Sequence, residues 1–184
     1  MKPSKVLQDI VTSATGAKCH YDVWWALVSE AKPKYIKLIN NHSDFFRASQ
    51  DAHYTAFFIY LAHLFDKRSD SSSMSKYLEL IKDKTDSERF QELETSYCAL
   101  FDRVNPLLKV RHKCIAHVDV KLSENDIFEE VNLTWNEVRR IISDVANFVE
   151  LLSGAPHQGA TGIPRDGRLS EATMHLLETL VKNG

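Results

Sequence analysis

The stretch RHKCIAH, Arg111 to His117, places a guanidinium, an adjacent imidazole and a second imidazole six residues on in one short segment. These types suit acid–base chemistry at a phosphate. An imidazole exchanges protons near neutral pH, and a guanidinium grips a phosphate through paired N–H donors and stabilises charge building on it. Spacing alone does not single out this pair. Nine arginines and eight histidines give three arginines with a histidine five to seven residues downstream: Arg111 to His117, Arg47 to His53 and Arg168 to His175.

Context separates them. Arg168 to His175 crosses from a loop into a terminal helix, outside the core of the chain, and Arg47 falls early in a long helix with the small Ala48 behind it. Arg111 is followed by the ionisable His112 and approaches a helix end, where side chains and backbone are reachable. It also lies in a basic patch of Lys109, Arg111, His112, Lys113, His117 and Lys121, within a chain of formal net charge −2. Bulk charge therefore recruits neither nucleic acid nor an anionic membrane, and the patch is the local feature a nucleic-acid partner would need. Lys109, Lys113 and Lys121 are the expected phosphate contacts around it.

Helix geometry constrains the pair. Six residues turn by about 600°, which leaves Arg111 and His117 about 120° apart and about 9 Å along the axis. They converge only if the helix end unwinds, if the guanidinium stem bends round, or if two copies meet across a two-fold axis. The purely structural alternative gives Arg111 and His112 surface ion pairs and His117 a packing role at a helix terminus. A second set, His53, Tyr60 and His63 on one helix face with Asp66 beyond, reads either as a shallow groove or as a half-exposed packing boundary.

The elements that must carry these residues are helices. Residues 4–31 read as one long helix, or two joined near Gly16, with Trp24, Leu27, Val28 and Ala31 on one face and Pro33 interrupting. From Asp44 to Asp66, Phe57, Phe58, Leu61, Leu64 and Phe65 form a core-facing stripe. The linker KRSDSSS ends in a serine that can cap a short helix bearing Tyr77, Leu78 and Ile81. A helix follows over about 87–104, Asn105-Pro106 restarts or kinks it, and residues 106–117 continue as the helix holding the motif. Thr134 and Glu137 then make a capping-box pattern ahead of a face running from Val138 to Leu152, stopped by Gly154 and Pro156. A loop leads to a terminal helix capped by Ser170, with Leu176, Leu177, Leu180 and Val181 as its apolar side. The expected architecture is an all-α antiparallel bundle over residues 1–153, with 154–184 as a loop and helix extension.

Other chemistries find no pattern. No HExxH, CxxC or paired ExxH occurs, and GAPHQGATGIP lacks the Gly-Lys-Ser/Thr of a phosphate loop, so neither a metal nor another cofactor is expected. Cys19, Cys98 and Cys114 read as reduced thiols. With no secretory run and no stretch of eighteen apolar residues, the expected location is the cytoplasm rather than a membrane.

At RHKCIAH the chain resembles the HEPN superfamily, marked by an arginine, commonly followed by Asn, Asp or His, and a histidine four to six residues after it. HLFDKRSDSSSMSKYLELI, residues 63–81, and RHKCIAHVD also resemble the abortive-infection U-type branch, over roughly residues 20–153. The resemblance implies a helical bundle that dimerises through the motif face and a metal-independent endoribonuclease. Arg111 and His117 would be catalytic, with His112 orienting His117 or binding a neighbouring phosphate, and Lys109, Lys113 and Lys121 would contact the RNA. It further implies a role in phage defence or a toxin–antitoxin setting, with an antitoxin or other regulatory protein as a possible partner. Two rivals remain open: a non-catalytic module that binds RNA, a nucleotide or a protein, and a helical adaptor working through the terminal helix.

Overall fold

The computed structural model describes residues 2–112, 132–154 and 161–183. Within these residues the chain is an all-α bundle with no strand. Its helices are α1 (Pro3–Trp25), α2 (Lys32–Asn41), α3 (Ser43–Leu64), α4 (Met74–Ile81), α5 (Ser87–Arg111), α6 (Trp135–Ser153) and α7 (Arg168–Asn183). None of the described helices is long and apolar enough to cross a membrane.

The pairing of α1 with α3 organises the bundle. Helix α1 does not divide at Gly16. It runs through that residue and ends in a single π turn over Ala26–Glu30. Glycine is needed there for clearance, since a Cβ would stand 2.7 Å from the Tyr60 ring. The close approach buries Val6, Ile10, Ala14, Ala17 and Tyr21 of α1 against Phe57, Phe58, Leu61 and Leu64 of α3. Tyr21 and Trp24 meet Phe57, and Trp24 also reaches Trp135 at 4.4 Å, which joins α6 to the same aromatic cluster.

The ends of the elements follow local chemistry. Pro33 starts α2 rather than standing in a break, because a proline in the first turn gives up an N–H that has no partner there anyway. The periodicity does not foresee α2, whose buried side is only Tyr35 and Ile39 among lysines. Ser73 caps α4 by accepting from the Lys76 N–H at 3.5 Å, as the linker predicts. The capping box on α6 forms in full: Thr134 Oγ1 accepts from the Glu137 N–H, and Glu137 Oε2 accepts from the Thr134 N–H at 2.8 Å. Gly154 closes α6 at φ 68°, where a side chain would be strained.

Two expectations are corrected. Asn105-Pro106 does not restart the chain; α5 runs continuously through Pro106. An interior proline costs about 3 kcal/mol. Val104, Leu107 and Val110 around it are fully buried, and at about 1.5–3 kcal/mol each their burial holds the helix together. Ser170 is not a cap either. Helix α7 already begins at Arg168, and the buried Ser170 donates to the Asp22 carbonyl on α1 at 3.1 Å. Arg168 and His175 therefore share one helix.

Of the four residues on the apolar side of α7, only Leu177 is buried; Leu176, Leu180 and Val181 are exposed. Leu177 completes a second cluster with Leu27, Ala31, Tyr35, Ile39 and Phe46. Just before α7, Asp166 accepts from Lys18, whose side chain is buried on α1, and from Ser143 on α6.

The Gly16 contact yields a prediction whose sign opposes helix propensity. Alanine should help an interior helical position by about 1 kcal/mol. Overpacking against the Tyr60 ring should cost about 1–3 kcal/mol. Gly16→Ala is therefore expected to lower the urea midpoint, and adding Tyr60→Leu should restore it. A raised midpoint in the single variant would contradict the close approach.

Candidate functional site

The residues following α3 and the second half of α5 face each other across a cleft of about 580 Å³. Its lining from the α3 side is Ala62, His63, Phe65, Asp66, Lys67 and Arg68, and from α5 it is Phe101, Asn105, Leu108, Arg111 and His112.

Helical spacing explains the α5 wall. Leu100, Val104, Leu107 and Val110 form the buried stripe of the helix. The residues one position later, Phe101, Asn105, Leu108 and Arg111, lie about 100° further round and face the cleft instead of the core. Lys109 lies about 200° from Arg111 on the same helix and is exposed outside the cleft. On the other wall, Phe65 follows the last turn of α3 and is buried against Tyr97 and Phe101, with ring centroids at 6.2 and 6.0 Å. That contact fixes the chain direction where it leaves α3 and turns Asp66, Lys67 and Arg68 toward α5.

The cleft is electropositive. Lys67, Arg68 and Arg111 stand against one carboxylate, Asp66, and His63 and His112 add two imidazoles. Asp66 accepts from the Arg68 backbone N–H and from its Nε, both at 3.0 Å. Burial pushes the Asp66 carboxyl up, but the Arg68 hydrogen bonds and charge outweigh it and hold the group below the usual carboxylate range. Asp66 therefore stays ionised and fixes the guanidinium of Arg68. Lys67 lies over the Phe101 ring, 5.0 Å from its centroid.

Arg111 is different in kind. Its Nε is buried and has no hydrogen-bond partner among the described residues. A buried donor left unpaired costs on the order of 1–3 kcal/mol, and such groups are rare unless a ligand satisfies them. Asp22 Oδ2 and Tyr35 OH are unpaired in the same way, but Arg111 alone of the three lines the positive cleft, where its guanidinium can pair with an anion.

The candidate residues sort accordingly. Arg111, His112, His63 and Asp66 come together in the cleft. His117, Lys113 and Lys121 lie outside the described residues. His53 and Tyr60 do not line the cleft and pack at the α1–α3 interface: His53 Nδ1 stands 2.8 Å from His20 Nδ1, the His20 ring stacks on Tyr60, and Tyr60 in turn meets the His63 ring edge-on at 6.3 Å. Sequence reasoning missed Lys67, Arg68, Phe101 and Asn105 as cleft residues. Lys67 and Arg68 read as linker, and only their position directly after the α3 core stripe could have signalled that they line the cleft.

Burial pulls the pKa of both His20 and His53 below the ordinary imidazole value, with the His20 charge adding to the effect on His53. For a lowered imidazole pKa, the unfolded chain binds the extra proton first as pH falls. Stability is then fully present above about 6.5 and declines as pH drops from there through the folded-state values. The chain is expected to unfold at lower urea concentration at pH 5.5 than at pH 7.5, and the His20→Gln/His53→Gln double variant should flatten that dependence. An unchanged slope in the double variant would remove the pair from the pH response.

The sequence pattern of the HEPN AbiU2 family matches residues 6–161, which takes in the whole cleft and leaves α7 beyond it. No curated protein and no solved structure matches the chain. With most of its length matched and an all-α bundle to carry it, the chain belongs to the HEPN AbiU2 family, a HEPN-type abortive-infection family.

Proposed function

We propose that the chain is a metal-independent endoribonuclease, acting in phage defence or a toxin–antitoxin setting in the cytoplasm. The observation that carries this reading is the buried, unpartnered Nε of Arg111 in a cleft that also holds His63 and His112. Family membership agrees with it.

RNA brings its own nucleophile. The ribose 2′-hydroxyl attacks the adjacent phosphorus, losing its proton to an imidazole, while the P–O5′ bond breaks and the departing 5′-oxygen takes up a proton. The products are a 2′,3′-cyclic phosphate and a free 5′-hydroxyl, with no water, oxidant or external nucleophile consumed. His117 serves as the proton-transfer group, and His112 orients it or binds the neighbouring phosphate. Arg111 holds the scissile phosphate and stabilises the charge that builds on its oxygens. On this reading two copies meet across a two-fold axis at the motif face and bring both arginines and both histidines into one cleft. An antitoxin or other regulatory protein holds the activity in check.

The test is RNA cleavage by purified protein in EDTA, with product ends identified. Wild type should cleave and leave cyclic phosphates. Arg111→Ala should lose about 10²–10³-fold in rate. His117→Ala should lose about 10²–10⁴-fold. Equal cleavage by wild type and His117→Ala would defeat the mechanism. Binding without cleavage by folded wild type, across several RNAs, would leave a non-catalytic RNA-binding module, its affinity falling as salt rises.

A further inference from the structure

We propose that the far end of the Arg111 cleft is a nucleobase subsite, with Phe101 as its stacking platform and Lys67 and Arg68 as its phosphate clamp, so that the substrate is single-stranded RNA. This rests on the ribonuclease reading of the same cleft.

The cleft is extended rather than point-like. Phe101, Asn105, Leu108 and His112 follow one another along α5 at i, i+4, i+7 and i+11. At 1.5 Å per residue they span about 16 Å, longer than one phosphate requires. Its two ends differ in chemistry. Arg111 and His112 stand at one end, while the other presents the aromatic ring of Phe101 with Lys67 over it; Arg68 lines the same cleft.

Phe101 is built as a fixed surface. Phe65 and Tyr97 flank its ring at centroid distances of 6.0 and 6.2 Å, and Phe101 itself stays only partly buried, on the wall of the cleft. The Lys67 ammonium covers the ring at 5.0 Å. A cation–π contact at an exposed site contributes about 0.5–1 kcal/mol, less than the stacking of a nucleobase on an aromatic side chain. An arriving base can therefore displace the ammonium, whose flexible stem lets it move to a neighbouring phosphate. Arg68 needs no such movement, since Asp66 already fixes its guanidinium. Between the two ends, the Asn105 amide offers both donors and an acceptor to a base edge. A base held inside a duplex keeps both faces stacked and cannot lie on Phe101, which selects single strands.

The test separates this inference from the catalytic reading by measuring binding on protein carrying His117→Ala. A fluorescein-labelled single-stranded RNA hexamer is titrated against that parent and against versions adding Phe101→Leu, Phe101→Trp, Lys67→Met or Arg111→Ala. A blunt hairpin duplex serves as competitor. Phe101→Leu keeps the apolar packing and removes the aromatic face, and should weaken binding by about tenfold or more. Phe101→Trp should bind like the parent, Lys67→Met should weaken binding and flatten its salt dependence, and the duplex should compete poorly. Unaltered affinity in Phe101→Leu alongside loss in Arg111→Ala would overturn the base subsite while sparing the Arg111 site. Equal competition by the duplex would do the same. Unaltered affinity in Arg111→Ala would defeat the site reading itself.

Discussion

The contact between Phe65 and α5 is the constraint on which the cleft depends. Phe65 is the residue at which the chain leaves α3, and it is buried against Tyr97 and Phe101. With that ring anchored, the residues after it leave α3 beside α5, with Asp66 half-buried and Lys67 and Arg68 exposed on the rim of the cleft. They lie across from α5, where Asp66 fixes Arg68 and Lys67 covers Phe101. The opposing wall owes its chemistry to a second constraint. Burial of Leu100, Val104, Leu107 and Val110 sets the rotation of α5, and rotation decides that Arg111 enters the cleft and Lys109 does not.

Packing behind the cleft is tight where its position matters. Gly16 lets α1 approach the Tyr60 ring on α3, and the aromatic cluster of Tyr21, Trp24, Phe57 and Trp135 links α1 and α3 to α6. The His20–His53 pair sits on this interface, and its lowered pKa values follow from burial. Helix α7 closes a separate cluster through Leu177, tied down by Ser170 and by the Lys18–Asp166 pair. It lies beyond the residues matched by the family pattern and does not line the cleft.

Much of the fold was legible because its signals are local. The apolar stripes of α3 and α6, the serine ahead of α4 and the Thr134/Glu137 box each declare themselves within a few residues. Helix α2 was missed because two buried side chains in ten make a weak period. At Pro106 the local cost of proline is real, and tertiary burial of its neighbours carries α5 through without a restart. Arg111 and His112, from the basic segment, and His63 and Asp66, from the separate set along and just past α3, were legible from types and spacing, and all four line one cleft. Lys67, Arg68 and Phe101 were not, because their place along the cleft is set by the Phe65 anchor, a contact between residues more than thirty positions apart. His53 and Tyr60 share a helix face with His63, but α1 covers them, and single-helix periodicity carries no information on which neighbour covers a face.

The most direct test of a phosphate-receiving Arg111 observes its Nε–H itself. In a ¹⁵N–¹H NMR titration with an uncleavable RNA hexamer, methylated at every 2′-hydroxyl, the Arg111 Nε–H resonance should shift and its exchange with water should slow as the phosphate becomes its partner. RNA that binds while leaving the Arg111 Nε–H resonance and exchange rate unchanged would contradict the assignment of this cleft as the place where the nucleic acid is held.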